Sequence, residues 1–140
     1  MIIGDTGVLF CLVDPTQAQH NVYKRWISGY GQPLITTWPC LAEAMYLTSR
    51  RGGWAMQKRV GNLLLEGLFL TYEIAPDLIP RLLELMEQYR DRPMDFADAS
   101  LVLLAEQTGY RQILTLDSDF FFYRIHGRES FEVLLSQDPS

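Results

Sequence analysis

PMDFADASLVLLAEQTGYRQILTLDSDF, residues 93–120, contains a complete helix–strand unit. Its first half reads as a helix over Asp95–Thr108, apolar nearly all round and closed by Gly109, where helices favour a left-handed glycine. A buried strand follows at 112–116 and ends on Asp117. A helix without a wet face and a short apolar strand both belong inside a layered fold. The same alternation continues outward. Toward the N-terminus, residues 2–6 read as a strand ending at Asp5, and 18–30 as a helix broken by Gly31, Gln32 and Pro33. LITT at 34–37 is a second strand. A helix over 39–51 opens with Pro39 and stops at Gly52 and Gly53, and another covers 54–66. FLTYEI at 69–74 alternates like a strand, and 77–89 is amphipathic, with a stripe of Ile79, Leu82, Leu83 and Met86. FEVLL at 131–135 is the last strand. This order predicts an α/β fold: one domain over 1–140, with a mostly parallel central sheet flanked by helices.

A chain of 140 residues with 48% hydrophobic and 21% charged residues suffices for one domain around one core. Its formal charge of −5 argues against a general nucleic-acid coat, which depends on Lys and Arg neutralising phosphates. A nucleic-acid role would need a local basic patch or a bound metal. Cys11 and Cys40 lack metal-ligand spacing and sit in apolar runs, so both read as buried free thiols. The apolar start MIIGDTGVLFCLV has no basic leader, is interrupted by Asp5 and is too short to span a bilayer. The expectation is a cytoplasmic protein without a membrane partner.

Four acids carry the functional signal: Asp5, Glu43, Asp98 and Asp117. Asp5 and Asp117 end strands, where ligands bind in open α/β sheets. Glu43 lies among Leu41, Ala42, Ala44, Met45 and Leu47, and Asp98 opens the apolar helix. Burying carboxylates in such company costs several kcal/mol, roughly, unless a cation or hydrogen bonds compensate. Simpler readings stand beside this one: Asp5 as a turn residue, Glu43 at a solvated edge, Asp98 as an acid favoured by the helix dipole. Asp95 suits an N-cap, and Asp119 is a further candidate accessory acid. Thr6 and Thr115 are candidate hydroxyls for orienting the carboxylates. Asp-Thr-Gly also opens the active loop of aspartic proteases, but those are all-β and this chain has helical periodicity. Oxygen donors without a His or Cys cluster select Mg²⁺ or Mn²⁺. There is no Walker-type loop, and His20 and His126 read as surface residues.

Taken together, MIIGDTGVL, LAEAMYL, PMDFADASLVLLAEQTG and ILTLDSDFFFYR resemble the PIN-domain nucleases, and within them the VapC-like toxins of toxin–antitoxin pairs. The resemblance covers nearly the whole chain. It implies a Mg²⁺- or Mn²⁺-dependent endoribonuclease, usually dimeric, acting on RNA and restrained by a small antitoxin. It also implies roles: Asp5 and Asp98 as central metal ligands, with Glu43 and Asp117 binding directly or through water. Arg50, Arg51 and Arg124 are candidate contacts to the RNA backbone. The Leu- and Met-rich helices 54–66 and 77–89 suggest a homodimer. The alternatives are a non-catalytic RNA-binding or regulatory module, a solitary nuclease without an antitoxin, and a flap-type DNA nuclease, for which the chain leaves little room.

Overall fold

The computed structural model describes residues 1–135. In chain order the strands are β1 (Ile2–Gly4), β2 (Leu34–Thr37), β3 (Phe69–Tyr72), β4 (Gln112–Leu114), β5 (Arg124–Ile125), β6 (Glu129–Ser130) and β7 (Glu132–Leu134). The helices are α1 (Thr6–Val13), α2 (His20–Tyr30), α3 (Trp38–Leu65), α4 (Ile79–Gln88) and α5 (Phe96–Thr108), with short 3₁₀ turns at Pro76–Leu78 and Ser118–Phe121. The main sheet has five strands in the order β3-β2-β1-β4-β7, all parallel; β5 and β6 form a separate antiparallel hairpin.

The period of two along the strands sorts the core into two layers. Ile3 pairs with Ile35 on one side and Ile113 on the other, and these three face α4, α5 and the hairpin. Ile2, Leu34, Phe69 and Leu114 face α1, α2 and α3. With helices on both faces, β1 and β2 are buried at every position, including the polar Thr36 and Thr37. Gly4 extends the second face, and a side-chain carbon there would sit 2.7 Å from the ring of Phe69, which is buried.

Several elements differ from expectation. The strand expected at 2–6 ends at Gly4, and TGVLFCLV (6–13) is the helix α1. Most of that helix is buried, so its sequence has no polar face to reveal a helical period. The two helices expected at 39–51 and 54–66 are present as the two halves of α3, separated as expected at Gly53, which has φ 67° and ψ −156°; the Gln57 side chain donates across the break to the Met45 carbonyl at 3.0 Å. The stripe expected on 77–89 is split. Leu82 is buried together with Leu85, while Ile79 and Leu83 face outward. The hairpin of β5 and β6 has no counterpart in the sequence reading; two-residue strands are too short for a period. Cys11 and Cys40 are buried free thiols. No helix among the described residues is long and apolar enough to cross a membrane.

Glu106, near the C-terminal end of α5, fixes the hairpin. Both its carboxylate oxygens accept from Arg81 of α4 (2.9 and 2.8 Å), and one also accepts from the backbone N–H of His126 at 2.7 Å. His126 takes a left-handed backbone, φ 53°, at the hairpin turn, and its ring nitrogen lies 3.2 Å from the Glu106 carbonyl.

The packing of Gly4 against Phe69 yields a prediction. Gly4→Ala should destabilise the fold by about 1–3 kcal/mol through overpacking. The loss should shrink when Phe69→Leu is combined with it, as measured by urea unfolding of the four proteins of a double-mutant cycle. Equal losses in both backgrounds would refute the contact.

Candidate active site

The chain leaves β1 in both directions of the sheet: β2 and β3 lie on one side, β4 and β7 on the other. Such a reversal opens a crevice beyond the carboxyl ends of the central strands. Asp5 sits there, immediately after β1, as the N-cap of α1. One of its carboxylate oxygens accepts from the Thr6 backbone N–H and the other from the Thr115 hydroxyl, each at 2.7 Å. Its own N–H donates to the Leu114 carbonyl at 3.1 Å, so the residue is held by both chains that flank the crevice. The Thr115 hydroxyl also accepts from the Asp117 N–H at 2.9 Å, linking the two strand-end acids through one side chain.

Glu43 projects from the second turn of α3. Its Oε2 lies 3.5 Å from the Thr6 hydroxyl, which also lies 3.4 Å from the Cys40 carbonyl. Glu43 and Leu47 share a face, and that face is the half-exposed rim of α3. Asp95 caps α5: its carboxylate accepts from the Asp98 N–H at 2.8 Å while the side chain stays exposed. Asp98 is half-buried, and its Oδ2 accepts from the Tyr123 hydroxyl at 3.3 Å. Asp117 caps the following 3₁₀ turn by accepting from the Asp119 N–H at 2.9 Å. Asp119 pairs with Arg92 at 3.4 Å, and that guanidinium stacks over Phe122. Asp119 therefore has a partner that the other acids lack. Cys40, invisible as a site residue in the sequence, places its sulfur 3.9 Å from both Asp5 Oδ1 and the Ala97 carbonyl.

The carboxylates raise one another's proton affinity. Burial pushes Asp5 above its ordinary range, against the hydrogen bonds from Thr115 and Thr6 that pull it down; Asp117 and Asp95 add to the rise. Burial also lifts Glu43, aided by Asp95 and Asp5, and lifts Asp117, aided by Asp119 and Asp95. Asp98 is pushed up to about 8 by burial, then by Asp95, Asp5 and Asp117. Among the described residues, no Lys, Arg or His forms an ion pair with Asp5, Glu43, Asp98 or Asp117. The fixed dipoles of α1 and α5, at whose N-terminal ends Asp5 and Asp98 stand, offset part of the repulsion. A hard divalent cation suits this all-oxygen donor set. No three acidic, His or Cys side chains among the described residues are gathered tightly enough to enclose an ion alone.

The arginines fall elsewhere. Arg51 is engaged by Asp14 (3.2 Å) and the Thr16 hydroxyl (2.9 Å). Arg50 donates to the Tyr46 hydroxyl one turn back at 2.9 Å, and a nitrogen of Arg124 bonds the carbonyls of Phe121, Phe122 and Tyr123. His126 is exposed, whereas His20 is half-buried with its Nδ1 2.7 Å from the Cys11 carbonyl. Tyr123 and Arg92, with Cys40, are the neighbours of the acids that sequence reasoning missed. Tyr123 lies within an aromatic run, FFFY, that reads as core.

Comparison with known proteins identifies the family and the fold. The family model described as PIN domain matches residues 2–127. Ribonuclease VapC26 of Mycobacterium tuberculosis is 29% identical over 120 residues, covering 86% of this chain and 89% of that protein. The crystal structure of VapC20 of Mycobacterium tuberculosis, described as a sarcin–ricin-loop-cleaving toxin, superposes with a TM-score of 0.77 at 22% identity, covering 85% of this chain and 92% of that one. At that identity the superposition speaks for the fold: a parallel five-stranded sheet between two helical layers. With nine-tenths of its length matched by the family model and its acids gathered at the switch point of the sheet, the chain belongs to the PIN domain family.

Proposed function

We propose that the chain is an endoribonuclease that hydrolyses RNA phosphodiester bonds using Mg²⁺ or Mn²⁺ held by Asp5, Glu43, Asp98 and Asp117, and that it is the toxin of a toxin–antitoxin pair. One observation carries the enzymatic part: four acids from four chain segments lie close enough to raise one another's proton affinity, and among the described residues no basic side chain is paired to any of them. A scaffold gains nothing from that repulsion. The ribonuclease name of VapC26 supports RNA as substrate, and the toxin name of VapC20 supports the paired role.

The roles of the residues follow from their surroundings. Asp5 is the most rigid ligand, fixed by Thr6 and Thr115. Asp98 is oriented from behind by Tyr123. Glu43, on the half-exposed rim of α3, has room to accept a proton from water. Asp117 is tied to Asp5 through Thr115 and borders the entrance. A bound divalent ion would supply charge to neutralise the scissile phosphate and to acidify an attacking water. The loose convergence of the acids leaves coordination positions for water and phosphate oxygens, as Mg²⁺ sites commonly do.

A homodimer is part of the same proposal. The outward side chains Ile79 and Leu83 of α4, with Trp54 and Leu65 of α3, leave large apolar groups on the surface. Light scattering at micromolar concentration should return twice the 16.1 kDa chain mass; a single-chain mass would remove the dimer from the proposal.

Purified protein should cleave RNA with Mg²⁺ or Mn²⁺ and lose all cleavage in EDTA. Undiminished cutting in EDTA would refute metal catalysis. Asp98→Asn should lower cleavage by about 10²-fold or more and abolish the gain in melting temperature that Mn²⁺ gives the unmutated protein.

The proton affinity of Asp98 adds a pH signature. Its folded-state value, about 8, lies above the ordinary 3.8, so between these values the folded state holds a proton that the unfolded state has lost. Stability from this group therefore falls as pH rises through that window. In EDTA, Asp98→Asn should melt close to the unmutated protein at pH 5 and progressively above it toward pH 8. Parallel melting curves across that range would show that Asp98 ionises normally.

A further inference from the structure

Tyr123 is fully buried, yet it carries a hydroxyl. Its ring packs edge-on against Tyr89 and Phe120, each with centroids 5.1 Å away, and those contacts require only a phenyl group. A buried hydroxyl must be desolvated and costs stability unless it is hydrogen-bonded, so a phenylalanine would suit this core better if packing were the whole role. The hydroxyl has one hydrogen-bond partner, Asp98 Oδ2 at 3.3 Å. It belongs to the core cluster that packs against α5, whereas the Asp95 cap bonds a different part of the residue, the Asp98 backbone N–H. Asp98 is thus held by its backbone through Asp95 and by its carboxylate through Tyr123. Neighbouring acids repel that carboxylate, so without Tyr123 it would be free to rotate away from them.

We infer that Tyr123 is a positioning residue that fixes the Asp98 carboxylate for divalent-metal binding, acting through Asp98 without touching ion or RNA. This rests on the metal-site reading proposed above. Partners that orient a ligand from behind typically change metal affinity by about 10–100-fold when removed. The 3₁₀ turn that starts at Asp117 leads directly to Tyr123, so one segment brings both an acid and the group that orients another acid.

The test measures Mn²⁺ binding calorimetrically in four proteins: unmutated, Tyr123→Phe, Tyr89→Phe and Asp98→Asn. Tyr89 is the control for general damage to the cluster, because it contacts the same ring but its hydroxyl accepts from the Arg124 backbone N–H. The expected result is Mn²⁺ affinity about tenfold or more weaker in Tyr123→Phe and unchanged in Tyr89→Phe, with little binding left in Asp98→Asn. RNA cleavage by Tyr123→Phe should require correspondingly more Mn²⁺ but approach the unmutated rate at saturation. Thermal melting in EDTA should find both phenylalanine variants folded. Unchanged Mn²⁺ affinity in Tyr123→Phe, beside a loss in Asp98→Asn, overturns the positioning role alone. Equal losses in both phenylalanine variants reduce Tyr123 to packing and overturn it too. Absence of Mn²⁺ binding by the unmutated protein overturns the metal-site reading and this inference with it. If Tyr123→Phe does not fold, Phe120→Leu, which loosens the Tyr123 ring while keeping its hydroxyl, decides the matter: weaker Mn²⁺ binding supports the inference, and unchanged binding overturns it.

Discussion

Repulsion among carboxylates confined to one half-buried crevice is the constraint to which the rest of this molecule answers. Left alone, such acids would take up protons or rotate apart. The fold resists both outcomes with fixed neutral donors and dipoles. Asp5 receives a backbone N–H and a threonine hydroxyl, and Asp98 receives a tyrosine hydroxyl. Asp5 also caps α1, and Asp98 stands on the first turn of α5. None of these groups carries a full positive charge, so the crevice stays electron-rich while its geometry is held. A lysine or arginine would have stabilised the protein more and closed the site to a cation.

The scaffold separates this tension from its own stability. Along α5, Asp98 at one end is uncompensated, whereas Glu106 at the other is neutralised by Arg81 and further bonded by the His126 N–H. Arg81 holds the Glu106 carboxyl below its usual range despite burial. Between them the helix is packed among Ile3, Ile35 and Ile113 of the sheet. At the end of β2, Thr37 and Ser100 share a hydrogen bond of 2.6 Å that ties α5 to the strand beside Asp5. The acids are therefore strained on a frame whose rigid parts lie elsewhere.

Much of this was legible in the sequence because strands that end in an acid, and a helix without a wet face, leave few places for the chain to go. The strand LITT and the closing Gly109 appear where the pattern puts them, and the strand expected at 112–116 appears as QIL, ending at Leu114. Asp95 was readable as a cap because capping is local. What stayed hidden was either apolar throughout or non-local. TGVLFCLV has no period to detect, since almost all its sides are covered. Tyr123 and Cys40 look like core residues and are core residues; only the fold brings them to Asp98 and Asp5, 25 and 35 positions away. The arginines show the same non-locality. The sequence offers Arg51 and Arg124 as candidate RNA contacts but not their partners in the fold, which are Asp14 and a set of backbone carbonyls.

The central position of β1 has a meaning for how the molecule comes into being. Its neighbours are β2, some thirty residues later, and β4, which begins at Gln112. Thr115, which orients Asp5, is made 110 residues after it, and Tyr123, which orients Asp98, 25 residues after that acid. Synthesis proceeds at roughly 5–20 residues per second, so for many seconds Asp5 belongs to a nascent chain that cannot yet fix it. A nascent chain that stops short of Tyr123 lacks part of the crevice, so the acids and the groups that orient them come together only late in the folding of this domain.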